Sequence, residues 1–390
     1  LERAQSDEKI RKLIQDTGAY LCLDCSKCTG SCPIGRVGAV YSPRSVVQHI
    51  VLNGGELTDD HLWRCLTCGL CQERCPADVK YPEFIGRLRE DAVARGLRPQ
   101  ATHQGTIKEL MRILAKDNLR QNKVGWLPEW VEVLDGGKSK QSDGDIYFVG
   151  CAPYFDTIFA DFNLDLVGTH IAALELLRSS GVTPAVLSNE RCCGHDALWA
   201  GDVELFLKLA KANVELFKEA GAKRVFVSCP EGYHTLAKQY PKHLGNLGIE
   251  FVNTVQFLAG EMTTAIKADG TASVTYHDSC RMGRFSGFYD EPRALLGLLD
   301  GMELREMEFT RDSAPCCGSN LWINCDQVSR KMQIDMLTEA GKTGAEIVLT
   351  SCDKCRIHLS CAQMEMGNVK AKIEMENILK FLHRKAVSKS

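Results

Sequence analysis

Apolar side chains fall at helical spacing through the first third of the chain and in strand-like runs through much of the rest. Ile10, Leu13 and Ile14 lie on one face of a charged segment and predict a helix over residues 1–18. Val46, Val47, Ile50 and Val51 predict a second helix from Pro43 to Leu52, stopped by Asn53-Gly54-Gly55. The polar run Thr58-Asp59-Asp60 opens a third helix towards Leu62-Trp63, with Thr58 or Asp59 as its N-cap. Residues 83–117 read as helical again, interrupted by Gly96 and Pro99. Trp126, Pro128 and Trp130 sit in an irregular stretch, and the polar, glycine-rich run from Asp135 to Gly144 reads as a flexible linker.

From residue 145 the pattern changes to strands alternating with helices. Ile146-Tyr147-Phe148-Val149, Pro184-Ala185-Val186-Leu187 and Arg224-Val225-Phe226-Val227 are strand-like, with helices predicted near 167–179 and 202–220. Val274-Thr275-Tyr276 and Ile347-Val348-Leu349 continue the pattern. Phe251-Val252 reads as an edge strand, and 374–384 as a closing helix through Met375, Ile378, Leu379, Phe381 and Leu382. The predicted fold class is an α-helical module followed by a duplicated α/β domain. The expected boundaries are 1–118 for the helical module, 119–144 for the linker, 145–265 for the first α/β half and 266–390 for the second.

Composition adds little to the fold and much to the chemistry. A chain of 390 residues with 44% hydrophobic and 25% charged residues can bury sizeable cores without disulfide staples. The formal net charge of -3 gives no sign of a nucleic-acid partner. No apolar run reaches transmembrane length. The start at Leu1-Glu2-Arg3 lacks an initiator methionine and a secretory signal, so the expectation is a processed or trimmed N-terminus on a cytoplasmic protein, with any membrane attachment made through a partner.

Nineteen cysteines dominate the remaining picture. Their number is odd, the chain is long, and most fall in adjacent pairs or two-residue spacings, which suit metal chelation better than bridging. Cys22, Cys25, Cys28 and Cys32-Pro33 form one run, and Cys65, Cys68, Cys71 and Cys75-Pro76 repeat it. This is the bacterial ferredoxin spacing: a tight loop aims three thiolates at one cubane face, and the fourth cysteine ligates the other cluster. The fourth cysteine, beside proline, is expected to start a helix leading away from the loop. The assignment is Cys22, Cys25, Cys28 and Cys75 for one [4Fe-4S] cubane, and Cys65, Cys68, Cys71 and Cys32 for the other. Two complete four-cysteine runs argue against paired zinc sites.

The later cysteines stand at the predicted carboxyl ends of strands, where open α/β sheets bind ligands. Cys151, Cys192-Cys193-Gly194 and Cys229 mark the first half; Cys280, Cys316-Cys317-Gly318 and Cys352 mark the second at nearly constant offset. Leu198-Trp199 and Leu321-Trp322 recur after each pair, as expected of an internal duplication. The repeat breaks at one place. Cys352-Asp-Lys-Cys355 in the second half faces Cys229-Pro-Glu-Gly232 in the first, so the first half is one thiol short.

On these motifs the chain resembles the heterodisulfide reductase family. The dicluster run, with Cys28-Thr-Gly-Ser-Cys32-Pro33 and Arg36, is similar to the family's separate ferredoxin component. The CCG repeats are similar to its catalytic component, and two of them in one chain to the form in which these components are fused. The resemblance implies a non-cubane [4Fe-4S] cluster at Cys280, Cys316, Cys317, Cys352 and Cys355. It leaves Cys151, Cys192, Cys193 and Cys229 as an incomplete site for an Fe-S cluster or zinc. It also implies a partner like the family's flavin-containing component, or other electron-transfer subunits. Similar subunits serve larger flavin complexes of anaerobic metabolism, the ATP-independent benzoyl-CoA reductase complex among them.

The functional expectation is an electron-transferring iron-sulfur subunit that passes electrons between such a partner, two cubanes and a non-cubane cluster. The alternative is a thiol-disulfide (heterodisulfide) reductase. His277, close before Cys280, is the candidate catalytic residue, as a proton donor or as a hydrogen-bond donor to a cluster sulfur. His195 and His358 invite the same roles. Arg281 and Arg284 would meet an anionic substrate or offset negative cluster charge. Trp63, Cys325 and Cys361 read as core residues.

Overall fold

The computed structural model describes residues 2–53, 57–121, 124–139, 143–264, 266, 271–365 and 373–387. Leu1, the Gly54-Gly55 stop, residues 140–142 of the expected linker and residue 265 at the expected boundary lie outside them.

Up to Leu114 every named element is helical. Helices Glu2–Asp16, Pro43–Asn53, Asp59–Trp63 and Tyr81–Ala94 pack through Leu13, Val46, Ile50, Leu62, Phe84, Ile85 and Leu88. Thr58 caps the third of these in a capping box: its hydroxyl accepts from His61 N. In Tyr81–Ala94 the buried Tyr81, Phe84, Ile85, Leu88 and Ala92 repeat at helical spacing, and Pro82 sits in the first turn where no N–H is needed. A short helix, Pro33–Arg36, follows Cys32. No helix follows Cys75-Pro76 directly; the chain turns and the next helix begins at Tyr81. That part of the expectation is corrected: Lys80 N turns back to Thr17 O before the helix starts.

Among the described residues, nine strands build two parallel sheets. Val133–Leu134 (β1), Asp145–Phe148 (β2), Ala185–Leu187 (β3), Arg224–Val227 (β4) and Glu250–Asn253 (β5) form the first, in the order β1-β3-β2-β4-β5. Ala272–Tyr276 (β6), Met302–Leu304 (β7), Ile347–Thr350 (β8) and Glu374–Asn377 (β9) form the second, in the order β7-β6-β8-β9. All seven pairings are parallel. Two findings differ from the expectation. Within the stretch expected to be linker, Val133 and Leu134 pair with Val186 and Leu187 as an edge strand. The expected closing helix starts only at Ile378, because residues 374–377 pair with β8 first.

Both sheets are covered on both faces, as parallel sheets require. Tyr147, Val186 and Phe226 of the first sheet and Val274, Tyr276 and Leu349 of the second share one core with helices Leu166–Ser179, Thr254–Glu261, Asp290–Gly297 and Ile378–Val387. These helices form a layer between the sheets. The alternate side chains Ile146, Phe148, Val225 and Val227 face helix Val203–Glu219 and the Met111–Leu114 turn. The helical segment packs into the same core as Cys316, Cys317, Met332 and Leu359 of the second α/β unit.

Candidate functional site

The first 80 residues bring their cysteine loops to two different depths. Cys25 is exposed and Cys22, Cys28, Cys71 and Cys75 are half-buried, whereas Cys32, Cys65 and Cys68 are buried. Cys32, Cys65, Cys68 and Cys71 line one small cavity with Tyr41, Tyr81 and Leu66. Tyr41 and Tyr81 share a hydroxyl hydrogen bond of 2.7 Å beside it. Burial pushes the Cys32 thiol up to about 12, reinforced by neighbouring Cys68. Protein burial alone therefore disfavours a thiolate there; a bound cation would reverse that preference.

The second α/β unit gathers its five cysteines where β6 and β8 end and where the long loop after β7 returns. Cys317 Sγ and Cys355 Sγ lie 3.1 Å apart. A ring nitrogen of His277 joins them, all three atoms lying within 4.8 Å of one another. His277 is 1% exposed, and the Cys317 thiol is the one hydrogen-bonding group its ring meets among the described residues. A buried ring offered only soft thiols fits a site built to receive another group. The thiols of Cys280 and Cys317 are held down by contact with Cys316.

The inner ferredoxin-type loop lies directly on this site. Cys68 is held down to about 6, first by a hydrogen bond from the Cys316 thiol and then, against burial, by Arg284 and Arg281. Arg284 Nε donates to Cys68 O at 2.7 Å, and Arg281 Nη2 to Thr67 Oγ1 at 2.9 Å. The Cys280-Arg-Met-Gly-Arg284 turn thus clamps the Cys65–Cys71 loop.

In the first α/β unit, Cys151, Cys192 and Cys193 come together after β2 and β3, with Cys229 after β4. Gly194 N and Gly232 N point at Cys192 Sγ and Cys229 Sγ, at 3.5 and 3.4 Å. The helix Pro230–His234 starts at Cys229 and carries Gly232 in its first turn. Its counterpart Asp353–Glu365 carries Cys355 in the same place.

Between the two cysteine groups lies a buried ion cluster that sequence reading missed. Lys354 Nζ reaches Asp196 Oδ1 at 2.5 Å and Glu231 Oε2 at 2.7 Å. His195 Nε2 lies 3.5 Å from Glu231 Oε1. Burial works against the Lys354 ammonium, but the two carboxylates outweigh it and hold its pKa well above the usual value. Burial pushes the Glu231 carboxyl up despite Lys354, and pushes the His195 ring well down, helped by Arg281. One signal could have found the pair: Glu231 and Lys354 hold corresponding places in Cys-Pro-Glu-Gly232 and Cys-Asp-Lys-Cys355, with opposite charge. Arg89 was missed as well. Fully buried, it donates to the carbonyls of Leu62, Cys65 and Trp199 at 2.7, 2.6 and 2.9 Å. Trp63 is buried as expected; Cys325 is exposed and Cys361 half-buried, so neither is the core thiol its position suggested. Asn324, just before Cys325, has left-handed backbone (φ 57°).

Comparison with known proteins agrees with this geometry. A 4Fe-4S dicluster domain matches residues 18–79, and a cysteine-rich domain matches twice, at 146–237 and 274–360. The D subunit of the dihydromethanophenazine:CoB–CoM heterodisulfide reductase of Methanosarcina barkeri is 26% identical over 340 residues, covering 83% of this chain and 77% of its own. The EtfAB:quinone oxidoreductase of Syntrophomonas wolfei is 27% identical over 322 residues, covering 75% of this chain and 42% of that longer protein. A solved structure of a hypothetical protein from Helicobacter pylori shares the fold, with TM-score 0.54, 12% identity and coverage of 81% of this chain and 59% of its own. Dicluster and cysteine-rich domains in one chain define an iron-sulfur electron-transfer oxidoreductase subunit. This chain is a heterodisulfide reductase-like iron-sulfur protein. No described helix is long and apolar enough to cross a membrane.

Proposed function

We propose that the chain is the electron-transferring subunit of a multi-subunit oxidoreductase, joined in the cytoplasm to a protein like the flavin-containing component of heterodisulfide reductase or to another electron-transfer subunit. In this reading residues 1–118 are a helical ferredoxin module. Cys22, Cys25, Cys28 and Cys75 hold an outer [4Fe-4S] cubane, and Cys65, Cys68, Cys71 and Cys32 an inner one. The two α/β units are a duplicated cysteine-rich domain, in which Cys280, Cys316, Cys317, Cys352 and Cys355 hold a non-cubane [4Fe-4S] cluster. Cys151, Cys192, Cys193 and Cys229 form a four-thiolate site for an Fe-S cluster or zinc. Bound clusters of these kinds supply one-electron transfer. The protein's part is to bury them, hold them in series and exclude water.

The observation that carries this reading is the contact between the inner loop and the five-cysteine site, where Cys68 meets Cys316 and Arg284 holds Cys68 O. A relay needs such adjacency. The ion cluster Lys354–Asp196–Glu231 weighs against a disulfide substrate between the two cysteine groups, because charged side chains already fill that space. His277, against Cys317 and Cys355, is assigned to hydrogen-bonding at the five-cysteine site.

Anaerobically prepared protein is expected to carry about twelve iron atoms per chain in three four-iron clusters, or more if the Cys151 group binds a fourth. Iron and zinc analysis with electron paramagnetic resonance checks this, and iron well below that number removes the three-cluster reading. With a chemical reductant and a panel of small disulfides, no turnover is expected. Sustained disulfide reduction would replace the relay by a reductase.

A further inference from the structure

We infer that Arg281 orders the reduction potentials along the chain, raising those of the inner four-cysteine site and the five-cysteine site above that of the outer one. The inference rests on the relay reading above and adds a direction to it: inward, from the exposed Cys25 end towards Cys316-Cys317.

Arg281 stands where three parts of the chain meet. It follows Cys280 in sequence and donates from Nη2 to Thr67 Oγ1, inside the Cys65–Cys68 loop. Its guanidinium lies 4.4 Å from the ring centroid of Trp199, in the first α/β unit, and 4.0 Å from that of Phe285. The residue is 2% exposed, and Nε and Nη1 have no acceptor among the described residues. Its one polar partner is a neutral hydroxyl. Around it, the Glu231 carboxylate feels its charge but is bonded to Lys354 instead.

A buried guanidinium with no carboxylate bonded to it and two idle nitrogens is costly unless negative charge is supplied nearby. The thiolate groups on either side supply it. Cys68 of the inner site follows Thr67, to which Arg281 is bonded, and Cys280 of the five-cysteine site immediately precedes Arg281. A fixed positive charge in a poorly solvated place favours each added electron, as do N–H groups directed at cluster sulfurs. No contact joins Arg281 to Cys22, Cys25 or Cys28 among the described residues, and the outer site is the more exposed. The charge therefore acts on two of the three sites. Arg284, bound to the carbonyls of Cys68, Asp312 and Ala314, holds the loop in place and brings a second positive charge to it, which is the same in wild type and in the Arg281 variants.

The test is a redox titration of the full chain, followed by electron paramagnetic resonance, with wild type beside Arg281→Met and Arg281→Lys. Arg281→Met is expected to lower the potentials of the inner and five-cysteine centres by about tenfold in the reduction equilibrium, about 59 mV for a one-electron step. The outer centre stays put as the internal control, and Arg281→Lys recovers most of the shift. Potentials of all three centres unchanged in an Arg281→Met protein with normal iron would overturn the inference. If Arg281→Met loses iron from those two sites while Arg281→Lys retains it, the charge requirement stands. If Arg281→Lys loses iron too, the side chain is a packing element and the inference falls. Wild-type iron separates the two levels: a missing centre at the five-cysteine site overturns the relay reading, whereas normal iron with unmoved potentials overturns only the role of Arg281.

Discussion

Lys354 and Glu231 sit at corresponding places in two motifs and meet in the interior with Asp196. A buried carboxylate left without its cation is among the most damaging single changes in a core. Lys354→Met is therefore expected to destabilise the chain by about 3 kcal/mol or more, read from the urea midpoint of anaerobic protein. Lys354→Met combined with Glu231→Met should cost less than the two single changes added together, since no unpaired Glu231 carboxylate is then left behind. Buried rings shape the pH response. His358, stacked on Trp322 and bonded to Gln333, is pushed by burial down to about 4, and His234 to about 3. Both are neutral when folded, while an unfolded ring takes up its proton near pH 6.5. Their contribution is whole above that pH and is lost on acidification, at about 1.4 kcal/mol per pH unit for each ring until the folded ring titrates. The slope of stability against pH below about 6.5 should fall by about one proton in His358→Gln, measured from urea midpoints.

Helix Tyr81–Ala94 joins the cysteine loops to the α/β units through one side chain and one glycine. Arg89 projects from it to three carbonyls on two parts of the chain. Gly201, at φ 86°, lies so close that an added Cβ would come 2.4 Å from the backbone carbon of Arg89. Backbone cannot swing aside as a flexible side-chain end can, and the left-handed conformation is strained for alanine. Gly201→Ala is expected to cost about 2 kcal/mol or more and to lower the melting temperature. Helices with strong apolar spacing were readable in advance, as Pro43–Asn53 and Val203–Glu219 show. The edge strand β5 was readable too, from Phe251-Val252, whereas β1 and β9 were not. β1 has two residues and β9 reads Glu-Met-Glu-Asn, so neither carries an apolar run, and only pairing with β3 and β8 makes them strands.

The whole molecule places an exposed cysteine loop at one end and the buried five-cysteine site inside, with the inner loop between them. The asymmetry of the two α/β units turns on Gly232. An added Cβ there would meet Val227 Cγ1 at 3.2 Å, Cys229 Cβ at 3.5 Å and Cys229 Sγ at 3.8 Å. The valine methyl has to yield by a few tenths of an ångström, and the new thiol would enter the Cys229 group. Gly232→Cys is expected to fold and to add a second non-cubane signal to the paramagnetic spectrum. An unaltered spectrum from protein with unaltered iron would count against descent from a five-cysteine half.

Spacing along the chain was enough to define the cysteine groups, because ligand geometry forces short, repeated intervals that survive in one dimension. It was enough, too, for the change from helices to alternating strands, since each has its own apolar period. What folding alone decided is how the groups meet. Thr67 and Arg281 are 214 positions apart and bonded, and Lys354 crosses 158 positions to Asp196. No local period encodes such contacts; they follow from the packing of a helical segment against two sheets, which puts unlike charges and unlike thiols into one dry interior.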